Sequence, residues 1–213
     1  SVGSIDSAGS VNTDAGFSII SYTGTGSSGT IAHGLGAVPG WMIIKCRSED
    51  GHSWKVYHKS IGATKTLALQ NTGTPDDDAN YHDDTEPTSS VFTVGSNGDV
   101  NDDGETFIAY VFAEKKGYSK FGKYTGNGNV NGTFIYTGFK PAFFMTRRFD
   151  SGNSWVMFDN TRSTFNEINN SIYANTNEAE TTDHDIDMLS NGFKHRGTGS
   201  AGNGNYNYIY MAF

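Results

Sequence analysis

The chain says one thing twice. Residues 21–30 read SYTGTGSSGT and residues 123–132 read KYTGNGNVNG. Tyr22-Thr23-Gly24-x-Gly26 returns as Tyr124-Thr125-Gly126-x-Gly128, an offset of 102 positions, and Pro39 returns as Pro141 at the same offset. Trp41-Met42-Ile43-Ile44-Lys45 is answered by Phe143-Phe144-Met145-Thr146-Arg147, and Ser53-Trp54-Lys55-Val56-Tyr57 by Ser154-Trp155-Val156-Met157-Phe158. Asn71-Thr72 pairs with Asn175-Thr176, Ser96-Asn97-Gly98 with Ser190-Asn191-Gly192, and FIAYVFAE (107–114) with YIYMAF (208–213). The offset changes only between blocks, where loops absorb insertions. The fold must therefore be one that about a hundred residues can build and that can be built twice. The expected organisation is a linker arm at 1–15, which is Gly/Ser-rich and patternless, a first repeat at 16–116 and a second at 117–213.

Each copy reads as short strands. In the first they fall at 17–23, 30–34, 40–47, 54–59, 65–70, 91–95 and 106–114. SWKVYHKS alternates inside and outside as a half-buried strand does, and GWMIIKC is the fuller apolar run of a central strand. Aromatics make up 13% of the chain, and 27 glycines against 4 prolines supply turns with free φ. The fold class that follows is all-β: two tandem β-sandwich, jelly-roll-like repeats. Each copy forms its own sandwich, or the two interleave into one larger two-sheet body. The one helical candidate, RSTFNEINNSIY at 162–173, is Asn-rich with poor spacing and reads as an irregular loop or single turn.

Several function classes are excluded or disfavoured. A net charge of −8 opposes general nucleic-acid binding, which needs a basic face. No apolar run approaches the ~18 residues of a membrane helix. The single cysteine, Cys46, leaves packing alone to hold the chain. The nucleophile elbow, the phosphate loop and the zinc-protease helix motif do not occur. The expectation is a non-enzyme; a polysaccharide-degrading enzyme is the minor alternative, because paired glycosidase carboxylates obey no spacing rule.

Four places could bind something. DVNDDGETF (99–107) resembles the front of a calcium loop, with Asp99, Asn101 and Asp103 as ligands and Gly104 at the turn. The plainer reading is a polar hairpin turn, since position 12 is Tyr110 and not Glu. PDDDANYHDD (75–84) and TTDHDID (181–187) are His/Asp loops at similar places in the two copies, either solvated or metal-binding. His33 and His58 read as strand-end polar residues, answered in the second copy by Tyr136 and Asp159. Among the aromatics, Trp54 and Trp155 share a position and read as core, whereas Tyr81 and Tyr173 sit in loops and are freer to stack on a sugar. The ligand-binding set expected is Tyr81, His82, Asp83 and Tyr173.

The blocks GFSIISYTGTG, HGLGAVPGWMIIKCR, SWKVYHKSIGATKTLALQ, DDTEPTSSVFTVGSNGDVN, IAYVFAEKKGYSKFGKYTGNG, YTGFKPAFFMTRR and IDMLSNGFKHRG, in that order across 16–213, resemble a module of unknown function. It occurs in large virion-associated proteins of tailed, often marine, bacteriophages. The resemblance implies a virion structural protein, made in the host cytoplasm, in a tail fibre, appendage or capsid surface. Its implied partners are other virion proteins and a host surface glycan or protein, with no nucleic acid or membrane, in a homo-oligomer for which a trimer is favoured by analogy. It supplies no catalytic residues and no cofactor beyond the calcium reading above. A carbohydrate-binding, lectin-like module is the alternative function.

Overall fold

The computed structural model describes residues 2–213; Ser1, the first residue of the expected arm, lies outside them. Contacts divide the chain into two compact units. Unit 1 runs to Leu69 and resumes over Pro75–Lys115; unit 2 is Gln70–Thr74 with Lys116–Phe213. The passage at Lys115–Lys116 is one residue from the boundary read in the sequence. The segment Gln70–Thr74, read there as part of the first repeat, clusters instead with unit 2. The buried Arg147 guanidinium, stacked 4.8 Å over the Trp155 ring, donates to the Gly73 carbonyl.

Unit 1 holds strands β1 (Ser7–Asn12), β2 (Phe17–Thr23), β3 (Gly29–Ala32), β4 (Pro39–Cys46), β5 (Lys55–His58), β6 (Lys65–Ala68) and β7 (Asp76–Asp77), a helical turn α1 (Ala79–His82), β8 (Val91–Val94), a second turn α2 (Gly98–Asn101) and β9 (Thr106–Ala113). One antiparallel sheet runs β1-β2-β9-β4-β5-β6-β7, and β3 pairs with β8 as a separate ribbon. Strand β9 alternates strictly, burying Phe107, Ala109, Val111 and Ala113. These join Ile20 and Tyr22 of β2, Met42 and Ile44 of β4, and Ile31, Phe92 and Val94 of the ribbon in one core. Each large side chain so buried contributes about 1.5–3 kcal/mol.

The linker reading of 1–15 is corrected by β1. It pairs with β2 from Ser7↔Tyr22 to Asn12↔Phe17, while Ile5 is buried and bridges Ile31. An outermost strand is held by backbone bonds and needs no apolar alternation. Within SAGSVN, Gly9 is where the partner lies close: a Cβ there would come 2.2 Å from the Ile19 carbonyl.

Unit 2 holds β10 (Lys120–Thr125), β11 (Phe134–Tyr136), β12 (Phe143–Arg148), β13 (Val156–Asp159), β14 (Ser171–Tyr173), β15 (Ile186–Leu189), β16 (Gly192–His195) and β17 (Asn207–Ala212). The order β10-β17-β12-β13-β14 repeats β2-β9-β4-β5-β6, and β11-β16 repeats β3-β8 with β15 added. Among the described residues no strand of unit 2 corresponds to β1. Residues 162–173 contain no helix and end in β14. Its core gathers Tyr124, Phe144, Phe158, Phe193, Tyr208 and Ile186. The chain is all-β, of sandwich type, with a broad sheet faced by a narrower one in each unit.

Candidate functional site

The repeated phrase is a latch. Tyr22 at the end of β2 is buried and donates from its hydroxyl to the Val100 carbonyl at 2.6 Å; Tyr124 at the end of β10 donates to the Gly202 carbonyl at 2.8 Å. The Tyr22 ring stacks on Phe107 with centroids 5.2 Å apart, and Tyr124 stacks on Tyr208 at 5.0 Å. Beyond the tyrosine a buried asparagine closes the loop. The Asn101 carbonyl oxygen accepts from the Thr25 amide at 2.9 Å, and its NH2 donates to the Ser27 and Gly95 carbonyls, both at 2.7 Å. Asn203 accepts from the Asn127 amide at 3.2 Å and donates to the Asn129 and Gly197 carbonyls at 2.8 and 2.9 Å.

The glycines are there for approach and turn. A Cβ on Gly24 would stand 2.0 Å from the Asp102 carbonyl, and one on Gly126 2.2 Å from the Gly204 carbonyl. Gly26 and Gly128 take positive φ, 65° and 61°.

The three residues of the calcium-loop reading, Asp99, Asn101 and Asp103, do not converge on one point. Asn101 faces inward with its amide fully engaged, Asp103 is exposed, and Asp99 lies in the first turn of α2 facing other partners. A buried amide that satisfies a loop backbone is an architectural residue.

The expected ligand set also disperses. Tyr81 is buried on α1 with the Lys55 ammonium 4.2 Å from its ring centroid. His82 is 2% exposed, and burial lowers its pKa to about 4. Asp83 is exposed in left-handed backbone and accepts from the Ser28 hydroxyl at 2.8 Å. Tyr173 is half-buried on β14, its hydroxyl 3.2 Å from Nε2 of His184. The acids of 75–84 serve locally: Asp76 pairs with Lys55 at 3.0 Å, Asp77 with Lys65 at 3.6 Å, and Asp78 caps α1. His33 and His58 do act as polar residues at strand ends, His58 accepting from the Ser60 amide as Asp159 accepts from that of Thr161. Trp155 is buried, whereas its counterpart Trp54 is 37% exposed.

What the structure does assemble comes from two loops at one end of the unit 1 sheet, where β2, β4 and β6 end and β5 and β9 begin. His52, in the β4–β5 loop, has Nε2 3.1 Å from Glu49 and 4.0 Å from Asp102, and Nδ1 3.4 Å from Asp99. Asp99 also accepts from the Ser53 amide at 2.8 Å and lies 3.4 Å from the Lys55 ammonium. Burial alone would lower the Lys55 pKa; Tyr81 and Asp76 outweigh it and hold it raised. Four carboxylates thus crowd one lysine and one imidazole. Asp99 and Asp76 fall in acidic turns that stand out in the sequence, but Glu49, His52 and Asp102 do not mark themselves, because the two loops are separated by some fifty residues and only the folded turns bring them together.

In unit 2 a hollow of about 230 Å³ is lined by Lys140, Asn160, Thr164, Phe165, Asn166, Ile168 and Met188. Phe165, 84% exposed, stands at its edge. A planar apolar face beside amide and ammonium donors can stack on and hydrogen-bond to a polar ring.

The fold and these loop ends define a duplicated-topology β protein with preorganised loops. The whole chain, residues 1–213, matches the family described as domain of unknown function DUF7483, and it belongs to that family. No curated protein and no solved structure matches it.

Proposed function

We propose that this chain is a structural component of a phage particle, in a tail fibre, appendage or capsid surface, that works by attachment through its loop ends. The family resemblance of the sequence blocks supports the setting. The observation that carries the binding role is the latch: one rigid frame, present in both units, holds loops of different composition. Behind Tyr22 and Asn101 the loops carry Glu49, His52 and Asp102; behind Tyr124 and Asn203 the same places carry Ser151, Asn153 and Gly204. Fixed scaffolds with divergent loops are how sandwich folds vary what they bind. The partners are another virion protein or a host surface, and the assembly is a homo-oligomer, with a trimer favoured. Antibody against this chain, used for gold labelling of purified particles, tests the reading. Label at a particle surface is the expected result, and particles free of the chain by peptide mass analysis sink it.

The Phe165 hollow favours a second reading, a carbohydrate-binding module. Binding to bacterial surface polysaccharides on a glycan array, lost in Phe165→Ala, is its signature. Silence across such arrays removes it.

A further inference from the structure

A neutral imidazole offers one donor and one acceptor. Nε2 of His52 is hydrogen-bonded to the Glu49 carboxylate at 3.1 Å, and the Asp102 carboxylate stands 4.0 Å from the same nitrogen. Asp99, pinned by the Ser53 amide and Lys55, sits 3.4 Å from Nδ1 on the far side of the ring. A metal ion that displaces the Nε2 proton would be shared by one imidazole and two carboxylates.

A carboxylate behind the far nitrogen of an imidazole is the arrangement that orients histidine toward a metal. The distances agree. One ligand atom from each of Glu49, His52 and Asp102 lies within 4.8 Å of the other two. Metal bonds of about 2.1 Å in a tetrahedron place ligand atoms about 3.4 Å apart. Glu49 and His52 are already that close, and Asp102, half exposed just beyond α2, closes on them by about an ångström. The molecule also contains its own control. Unit 2 keeps the latch and the turns with Ser151, Asn153, Ala201 and Gly204 where unit 1 has Glu49, His52, Asp99 and Asp102, so the frame does not require these charges.

We infer that Glu49, His52 and Asp102 form a divalent metal site on the loop end of unit 1, with Asp99 as the group that orients His52. One imidazole with two carboxylates selects a first-row transition ion such as zinc over calcium, which takes six to eight oxygens. The remaining coordination positions open to solvent and hold water.

The test uses the full chain without an affinity tag, stripped by chelator, titrated by calorimetry with zinc and with calcium, and with cobalt followed by visible absorption. Zinc binds more tightly than calcium, and cobalt develops the ligand-field band of a low-coordinate nitrogen–oxygen site. His52→Ala and Glu49→Gln each weaken zinc at least about tenfold, and Asp99→Asn weakens it about tenfold. Asp103→Asn, an exposed neighbour, leaves it unchanged. Thermal melts of the stripped variants, unchanged from the parent, show that the frame is intact. Absence of zinc binding, a preference for calcium, or zinc affinity untouched by His52→Ala overturns the site.

Discussion

Unit 1 and unit 2 share a frame and differ in what they place inside it. Around Tyr22 the frame is apolar, with Ile44 and Val94 where unit 2 has Thr146 and His195. The Tyr124 hydroxyl consequently meets Thr146 Oγ1 at 3.0 Å and His195 Nε2 at 2.9 Å as well as the Gly202 carbonyl. At the loop end the contrast reverses: Glu49, His52, Asp99 and Asp102 of unit 1 stand where unit 2 has the neutral Ser151, Asn153, Ala201 and Gly204. The latch asparagine satisfies the loop backbone in either copy, so the backbone latch is the constant. Interior and loop chemistry vary freely around it.

The largest expected effect breaks the latch itself. Asn101→Ala strands one amide and two carbonyls in a buried loop and destabilises unit 1 by about 4 kcal/mol; Asn203→Ala does the same to unit 2. Hydrogen exchange of peptides spanning 20–30 and 122–132 reads the two separately. Losses that differ by more than about 2 kcal/mol would show that the two latches are not equivalent. Gly24→Ala and Gly126→Ala, which drive a Cβ into a backbone carbonyl, follow at about 3 kcal/mol each, measured by urea denaturation.

A pH dependence sharpens the interior contrast. Burial, with a smaller contribution from the charge of His184, lowers the His195 pKa to about 3. The unfolded imidazole titrates near 6.5. As pH falls, the unfolded chain takes the proton first, so stability present above about pH 6.5 is lost progressively down to about pH 3. His195→Val, which gives unit 2 the residue unit 1 has as Val94, removes about 2 kcal/mol of the loss at pH 5. Denaturation at pH 7.5 and pH 5 checks it; an unchanged difference between the two pH values contradicts the assignment. The smallest effect is at the surface. Phe165→Ala changes stability by no more than about 0.5 kcal/mol, which makes it a clean probe of binding.

Much of the frame was legible because the duplication printed it twice. Seven strands of the first copy were placed within two residues at their ends, since apolar alternation and glycine turns recur in register. Strand β1 was not legible: an edge strand held by its backbone carries no side-chain period. The role of Asn101 is not legible locally, because a liganding asparagine and a latching one look alike in a turn of acids. The signal that separates them is that Asn203 returns at the same offset as Tyr124, whereas no acid does. Tyr81 and His82 looked like loop residues since α1 is a single turn, too short to show a helical period. The His52 group is a product of tertiary closure, and no local pattern encodes it.

Strand β9 closes unit 1 and is hydrogen-bonded along the whole of β2, the second strand made, as β17 closes unit 2 and pairs with β10, its first strand. A main pairing of each unit therefore joins an early strand to the last one to leave the ribosome. Neither unit can complete its sheet during synthesis until its final strand has emerged, and each must be guarded from premature edge-to-edge association until then. Unit 1, whose closing strand is made about a hundred residues before that of unit 2, gains a head start in folding on the nascent chain.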